Sequence, residues 1–268
     1  MPRLPRIPDI LTTANLSCGV ASILLASQGQ LTWACWLVFA GAAFDVLDGW
    51  AARALGGGSE FGKQLDSLAD MVTFGVAPGM LLWCTIGSRH LLDGSWNLGD
   101  LMWMHHDGWG MATLPYSAFV IPIASAWRLA KFNIDTRQST GFLGLPTPAN
   151  ALFWASVPLG IGSNFVPGVT GLAAPGWTSI RDLMGDSVQQ YPVLLLMVSV
   201  LLGGLMLSEL PLPSLKFKHM KWKGNEVIYC LLATGLCLLL LYGILAVPLI
   251  LLLYLLSPLW GRLFPKTQ

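Results

Sequence analysis

Residues 32–54 read TWACWLVFAGAAFDVLDGWAARA. A helix that crosses a bilayer needs roughly 20 mostly apolar residues, and this stretch supplies them. Its first charged residue is Asp45, followed by Asp48 and Arg53. Charged groups are rare inside spanning helices and stay there when they are paired or functional. The stretch therefore sets both questions at once: a membrane fold, and a reason for acidic residues within it.

Working outward, similar apolar runs occur near 9–28, 65–87, 113–131, 147–167, 191–210, 226–244 and 246–261. With 32–54 they predict eight spans in an all-α, polytopic membrane helix bundle, the last two joined across Tyr242–Pro248. Composition agrees. Hydrophobic residues make up 54% of the chain and charged ones 11%, against roughly 25% charged in soluble domains. The net charge of +1 excludes a nucleic-acid partner as a working hypothesis. The 12 Trp suit interfacial belts. Cys18, Cys35, Cys84, Cys230 and Cys237 lie in or beside apolar runs without a CxxC pair, as small packing residues do. No cleavable signal peptide is expected.

With a cytoplasmic N-terminus, Arg89 and Arg181 are the basic residues left on the far side. Cytoplasmic loops carry the Lys/Arg excess, so both termini are expected in the cytoplasm, in a bacterial or archaeal-type cytoplasmic membrane. Two longer loops, 88–112 and 168–190, fall on the far side; the first holds His105 and His106, whose adjacent spacing does not suit a helical metal pair. The run Lys216–Lys223 is a basic patch flanked by Glu209 and Glu226, which are expected to pair within it. It reads as a positive-inside anchor that also attracts anionic headgroups. The division expected is a six-helix core over 1–210 and, over 211–268, a basic loop with two further helices.

Asp45 and Asp48 share a helix face at i,i+3, and Asp66 and Asp70 share one at i,i+4. A tight turn at Gly56, Gly57 and Gly58 makes their helices antiparallel neighbours, so both pairs point into one cleft. Four carboxylates there repel one another. Arg53 and Lys63, the cations close in sequence, do not balance them. One divalent ion, or two roughly 3.5–4 Å apart, would. Oxygen-only ligands select hard ions such as Mg²⁺ or Mn²⁺. Gly49 and Ala52 are small enough for a ligand to approach the backbone, or for close helix packing. Arg53 suits a phosphate.

Asp45-Val-Leu-Asp48-Gly49-Trp-Ala-Ala52-Arg53, eight residues, then Gly62-Lys-Gln-Leu-Asp66-Ser-Leu-Ala-Asp70 matches DxxDGxxAR-x8-GxxxDxxxD at every fixed position. The stretch resembles the signature of the CDP-alcohol phosphotransferase family. FGKQLDSLADMVTFGVAP at 61–78, AWRLAKFN at 126–133 and GLPTPA at 144–149 are similar to its phosphatidylserine synthase branch. The likeness is good over roughly 5–165. Thr73, Lys131, Asp9 and Asn150 depart from it.

The resemblance implies that Asp45 and Asp66 bridge two divalent cations, Mg²⁺ or Mn²⁺, with Asp48 and Asp70 completing one site each. It implies Asp70 as the general base. It places Gly49, Ala52 and Arg53 against the CDP-diacylglycerol donor, with Thr12 and Asn15 facing the nucleotide. L-serine is the acceptor implied, phosphatidylserine and CMP the products, and a homodimer the assembly; membrane lipids surround it. A serine carboxylate wants a cation, and Arg128 lies in an otherwise apolar helix. Arg128, with Lys131 and Asn133, is the expected serine site, walled by the Gly144–Pro148 turn. Two other readings stay open: the same chemistry on glycerol phosphate, inositol phosphate or another amino alcohol, and a cation transporter, which would hold its acids near the bilayer midplane.

Overall fold

A computed structural model describes residues 6–57, 59–87, 114–134, 142–161, 192–212 and 226–260. The loops 88–112 and 168–190, with His105 and His106, and the patch Lys216–Lys223 lie outside the described residues. Helices α1 (Ile7–Ser27) and α2 (Leu31–Ala54) form a hairpin. At 1.5 Å per residue they are about 31 and 36 Å long, enough for a hydrocarbon layer of about 30 Å. Small buried residues on their facing sides, Ala26, Ala34 and Cys35, allow the close approach. Inside the hairpin the buried Ser22 hydroxyl donates to the Ala34 carbonyl at 2.7 Å.

After α2 the chain turns through Gly56 and Gly57, whose φ of 91° and 105° suits glycine. Ser59 then caps α3 (Glu60–Asp70), its Oγ accepting the Gly62 N–H at 2.9 Å. The expected third span is not one uniform helix. It runs α3, then a π-helical turn over Met71–Val76, then α4 (Ala77–Gly87). The π turn coincides with the entry of Thr73 between α1 and α2, where its hydroxyl donates to the Asn15 carbonyl at 2.9 Å. Such turns are frequent at functional sites.

A 3₁₀ turn at Leu114–Phe119 leads into α5 (Val120–Ile134), followed by β1 (Phe142–Leu143), α6 (Thr147–Ile161), α7 (Pro192–Leu207), β2 (Pro211–Leu212), α8 (Glu226–Tyr242) and α9 (Ala246–Trp260). Among the described residues the all-α expectation holds except for a two-residue antiparallel bridge between β1 and β2. Gly144 makes that bridge possible. Its φ is 73°, and a Cβ would come within 2.8 Å of the Met206 carbonyl. Its N–H donates to the Leu210 carbonyl at 2.9 Å, tying the start of α6 to the end of α7.

Among the described residues, four helical runs are long and apolar enough to cross a membrane: Ile7–Ser27, Leu31–Ala54, Glu60–Thr85 and Tyr229–Ser257. The last contains a 3₁₀ turn, Gly243–Leu245, at the expected junction. A Cβ on Gly235 would touch Ile250 at 3.6 Å, so α9 folds back on α8.

Two apolar clusters hold the bundle. One joins α1, α2, α4 and α6 through Val38, Phe74, Leu81 and Ala155; the other joins α4, α5, α6, α7 and α9 through Leu82, Ile121, Trp154, Met206 and Leu251. Large apolar side chains such as Trp50, Trp127, Leu201 and Leu240 point outward, while Asn15, Thr73, Ser125, Thr147 and Asn150 are buried. This inside-out polarity is what lipid demands, since polar groups must find partners within the protein. The cysteines are unpaired, with Cys35 and Cys84 in the core.

Close packing around Thr73 gives a stability prediction. A Cβ on Gly19 would lie 2.8 Å from the Thr73 Cα, where no rotamer change relieves it. Alanine gains up to about 1 kcal/mol in helix propensity, but overpacking costs about 1–3 kcal/mol. Gly19→Ala is expected to lower the thermal midpoint in detergent. Gly204→Ala, with nothing within 4 Å, is expected to leave the midpoint unchanged or raise it.

Candidate active site

Helices α2 and α3 bring three of the four aspartates together. Asp45, Asp48 and Asp66 each present a carboxylate oxygen, and these oxygens lie within 4.8 Å of one another. Asp48 is buried, while Asp45 and Asp66 are half-buried. Thr12 of α1 donates to Asp48 Oδ2 at 2.6 Å, orienting that carboxylate toward its neighbours. Asp66 Oδ1 is buried with no hydrogen-bond partner. Among the described residues no lysine or arginine forms an ion pair with any of the three.

Three converging anionic oxygens, one of them unbonded, fit a hard divalent cation. Asp45, Asp48 and Asp66 can hold one. Asp9, a fifth acid nearby, is used otherwise. Its Oδ2 accepts the Arg6 N–H at 2.9 Å, and Oδ1 rests where a Cβ on Gly62 would be 2.9 Å away. The carboxylate thus faces the first turn of α3, where the helix dipole favours negative charge.

Asp70 stands outside the close triad. Asn15 Nδ2 donates to its Oδ1 at 3.2 Å. Asn15 is fully buried, and its own Oδ1 has no partner. The sequence expectation set Asn15 against a nucleotide; the structure sets its amide on Asp70. Its backbone is held by Thr73, across Gly19 and Gly41, whose missing side chains leave the room Thr73 occupies.

Arg53 is exposed at the end of α2 and folds back over Gly49, with Nη1 at 3.4 Å from where a Cβ would stand. Glycine leaves the guanidinium a flat seat beside the triad. Ala52, one residue before Arg53, is half-buried.

On the other side, Arg128 of α5 is buried; its Nη1 donates to Thr147 Oγ1 at 3.2 Å, and Nε has no partner. Asn133 is half-buried and exchanges hydrogen bonds with Ser67, at 2.9 and 3.2 Å, which ties α5 to α3 beside Asp66. Lys131 is not brought to the cleft. It is exposed, and Nζ reaches the Leu207 carbonyl at 3.5 Å.

Sequence reasoning missed the π turn, the Asn15–Asp70 bond and the buried polar residue Ser125. It marked Asn150 as a departure without a partner; the structure gives that partner as Trp154, whose Nε1 donates to Asn150 Oδ1 at 3.1 Å. An i,i+4 spacing is a signal that sequence inspection can find.

Comparison with known proteins is by sequence. A CDP-diacylglycerol–serine O-phosphatidyltransferase of Helicobacter pylori is 34% identical over 232 residues, covering 85% of this chain and 80% of that protein. The archaetidylserine synthase of Methanothermobacter thermautotrophicus is 35% identical over 149 residues, 54% of each chain. A CDP-diacylglycerol–serine O-phosphatidyltransferase of Bacillus subtilis is 33% identical over 146 residues, 53% of this chain and 69% of that one. The sequence profile of the CDP-alcohol phosphatidyltransferases matches residues 6–174, a stretch that contains every aspartate of the cleft, and the chain belongs to that family.

Proposed function

We propose that the chain transfers the phosphatidyl group of CDP-diacylglycerol to the hydroxyl of L-serine, giving phosphatidylserine and CMP. The observation that carries this is the presence in one bundle of an acidic, cation-ready triad and of a buried arginine held by Thr147. The first feature suits a diphosphate and the second a carboxylate. The names of the three similar proteins, two serine transferases and an archaetidylserine synthase, support the same acceptor.

Asp45, Asp48 and Asp66, with Asp70, would hold two divalent cations, Mg²⁺ or Mn²⁺. Bound there, such ions supply charge neutralisation at a diphosphate. Arg53, seated over Gly49 with Ala52 beside it, binds donor phosphate, and Thr12 and Asn15 fix the carboxylates beneath it. Asp70 accepts the proton of the serine hydroxyl as its oxygen bonds to the phosphorus next to diacylglycerol; the bond from that phosphorus to the bridging oxygen breaks, and CMP leaves with the electron pair. Asn15 aims Asp70 for that transfer. Arg128 receives the serine carboxylate. Asn133 holds the α3–α5 seam at the entrance, and Lys131 adds positive charge outside it.

The topology that suits this chemistry has eight crossings with both termini in the cytoplasm and the cleft at the cytoplasmic edge of a multi-pass membrane protein. The core is 1–210, the C-terminal pair of helices 211–268, and the assembly a homodimer.

Purified protein given CDP-diacylglycerol and, in turn, serine, glycerol phosphate and inositol phosphate is expected to release CMP and form lipid with serine. CMP release with another acceptor and none with serine overturns the proposal. Arg128→Ala is expected to raise the serine KM roughly a hundredfold, the ~3 kcal/mol of a buried hydrogen bond to a charged group. An unchanged serine dependence removes Arg128 from the pocket.

A further inference from the structure

Below the Arg128–Thr147 bond lies a seam of polar groups that the reaction as described leaves unused. Helix α5 ends, and α6 begins, at the same edge of the bundle. Ser125 precedes Arg128 by three residues and Asn150 follows Thr147 by three, so each lies one turn deeper on the same helix face as the bonded residue. That α6 face looks toward α5: Asn150 accepts from Trp154, which packs in one cluster with Ile121 and Ala124 of α5. The π turn closes the seam from α3, since a Cβ on Gly75 would be 3.1 Å from Ser125 Cβ. Gly75 is five residues beyond Asp70.

Three polar atoms on this seam are buried without a hydrogen-bond partner: Arg128 Nε, Ser125 Oγ and Asn150 Nδ2. Ser125 and Asn150 are almost fully buried and Arg128 nearly so. Buried polar groups in native proteins are almost always bonded, and one left bare costs about 1–3 kcal/mol. All three can donate, and one carries positive charge. Three donors of which one is cationic suit an anion, and two of them are neutral and short, which suits a small carboxylate. The donor diphosphate is provided for elsewhere, at Arg53 and the aspartate triad.

We propose that Ser125 and Asn150 join Arg128 in a subsite for the carboxylate of the acceptor amino acid, making them specificity-determining residues. This rests on serine being the acceptor. It explains why a polar residue stands at position 150: its oxygen is fixed by Trp154, which leaves its buried amide nitrogen to donate elsewhere.

The test compares serine with serinol, which keeps the hydroxyl and amine and lacks the carboxylate. Asn150→Asp preserves the oxygen that Trp154 bonds and replaces the donor by an acceptor; Ser125→Ala removes a hydroxyl with little change in volume. Each is expected to raise the serine KM at least about tenfold, while the KM for CDP-diacylglycerol stays within about twofold. Each is also expected to narrow the wild-type preference for serine over serinol by a similar factor. Should Asn150→Asp fail to fold, Ser125→Ala carries the test alone. Wild-type serine KM in the folded variants, or equal losses with both acceptors, overturns the subsite. A wild-type protein that makes no phosphatidylserine overturns the acceptor assignment itself, a result distinct from either.

Discussion

Asp70→Asn is expected to lower kcat by about 10²–10⁴, the usual contribution of a general base, while CDP-diacylglycerol still binds. The substitution preserves size, and the amide oxygen can still accept from Asn15 Nδ2, so the α1–α3 contact survives. What disappears is the ability to take a proton, together with one anionic ligand of the proposed cation pair. The position suits that role. Asp70 is near the triad without being one of the three oxygens within 4.8 Å. One of its oxygens is fixed by Asn15. A base must reach the hydroxyl that it deprotonates, and the proposed role requires that of Asp70. Single-turnover CMP release and equilibrium binding of CDP-diacylglycerol, measured on the same folded preparation, separate chemistry from binding. A kcat within tenfold of wild type removes Asp70 as the base. Loss of donor binding along with turnover makes it a binding residue instead.

The parts of this molecule that could be read from sequence are those in which partners lie one helical turn apart. Expected and observed helices agree closely for α1, α2, α8 and α9, because each is one apolar run. The acidic pairs at i,i+3 and i,i+4 likewise predict a shared cleft, and Asp45, Asp48 and Asp66 converge. The π turn was not legible. Met71-Val-Thr-Phe-Gly-Val is ordinary apolar helix sequence, and what distinguishes it is Thr73 seated against Gly19 and Gly41 on other helices. The role of Asn15 was hidden for the same reason, since its partner is 55 residues away. Asp9 was visible as a departure, but its use at the start of α3 depends on how α1 lies across Gly62.

The second large effect concerns the triad, and it changes sign with the ion. In chelator, Asp66→Asn is expected to raise the thermal midpoint; in Mg²⁺ or Mn²⁺ the same variant is expected to melt below wild type and to be inactive in both conditions. Carboxylate oxygens within 4.8 Å repel by about 3–4 kcal/mol at an effective dielectric near 20. Asp66 Oδ1 has no hydrogen bond to lose, so removing its charge relieves repulsion with little offset. Part of the gain is lost to solvent screening, leaving about 1–3 kcal/mol, or several degrees in a chain of this size. With the ion present the ledger reverses. A ligand at a hundredfold excess over its Kd stabilises the folded protein by about 2.7 kcal/mol, and the variant forfeits much of that. Thermal unfolding of both proteins in detergent, with chelator and with each metal, reads the crossing directly, and Mn²⁺ paramagnetic resonance counts the bound ions. A wild-type midpoint indifferent to either metal sinks the triad as a cation site. If the metal stabilises both proteins equally, the ion binds without Asp66. The crossing is the signature of a cluster kept for chemistry against its own stability, because a site assembled only to hold the fold would weaken in both conditions.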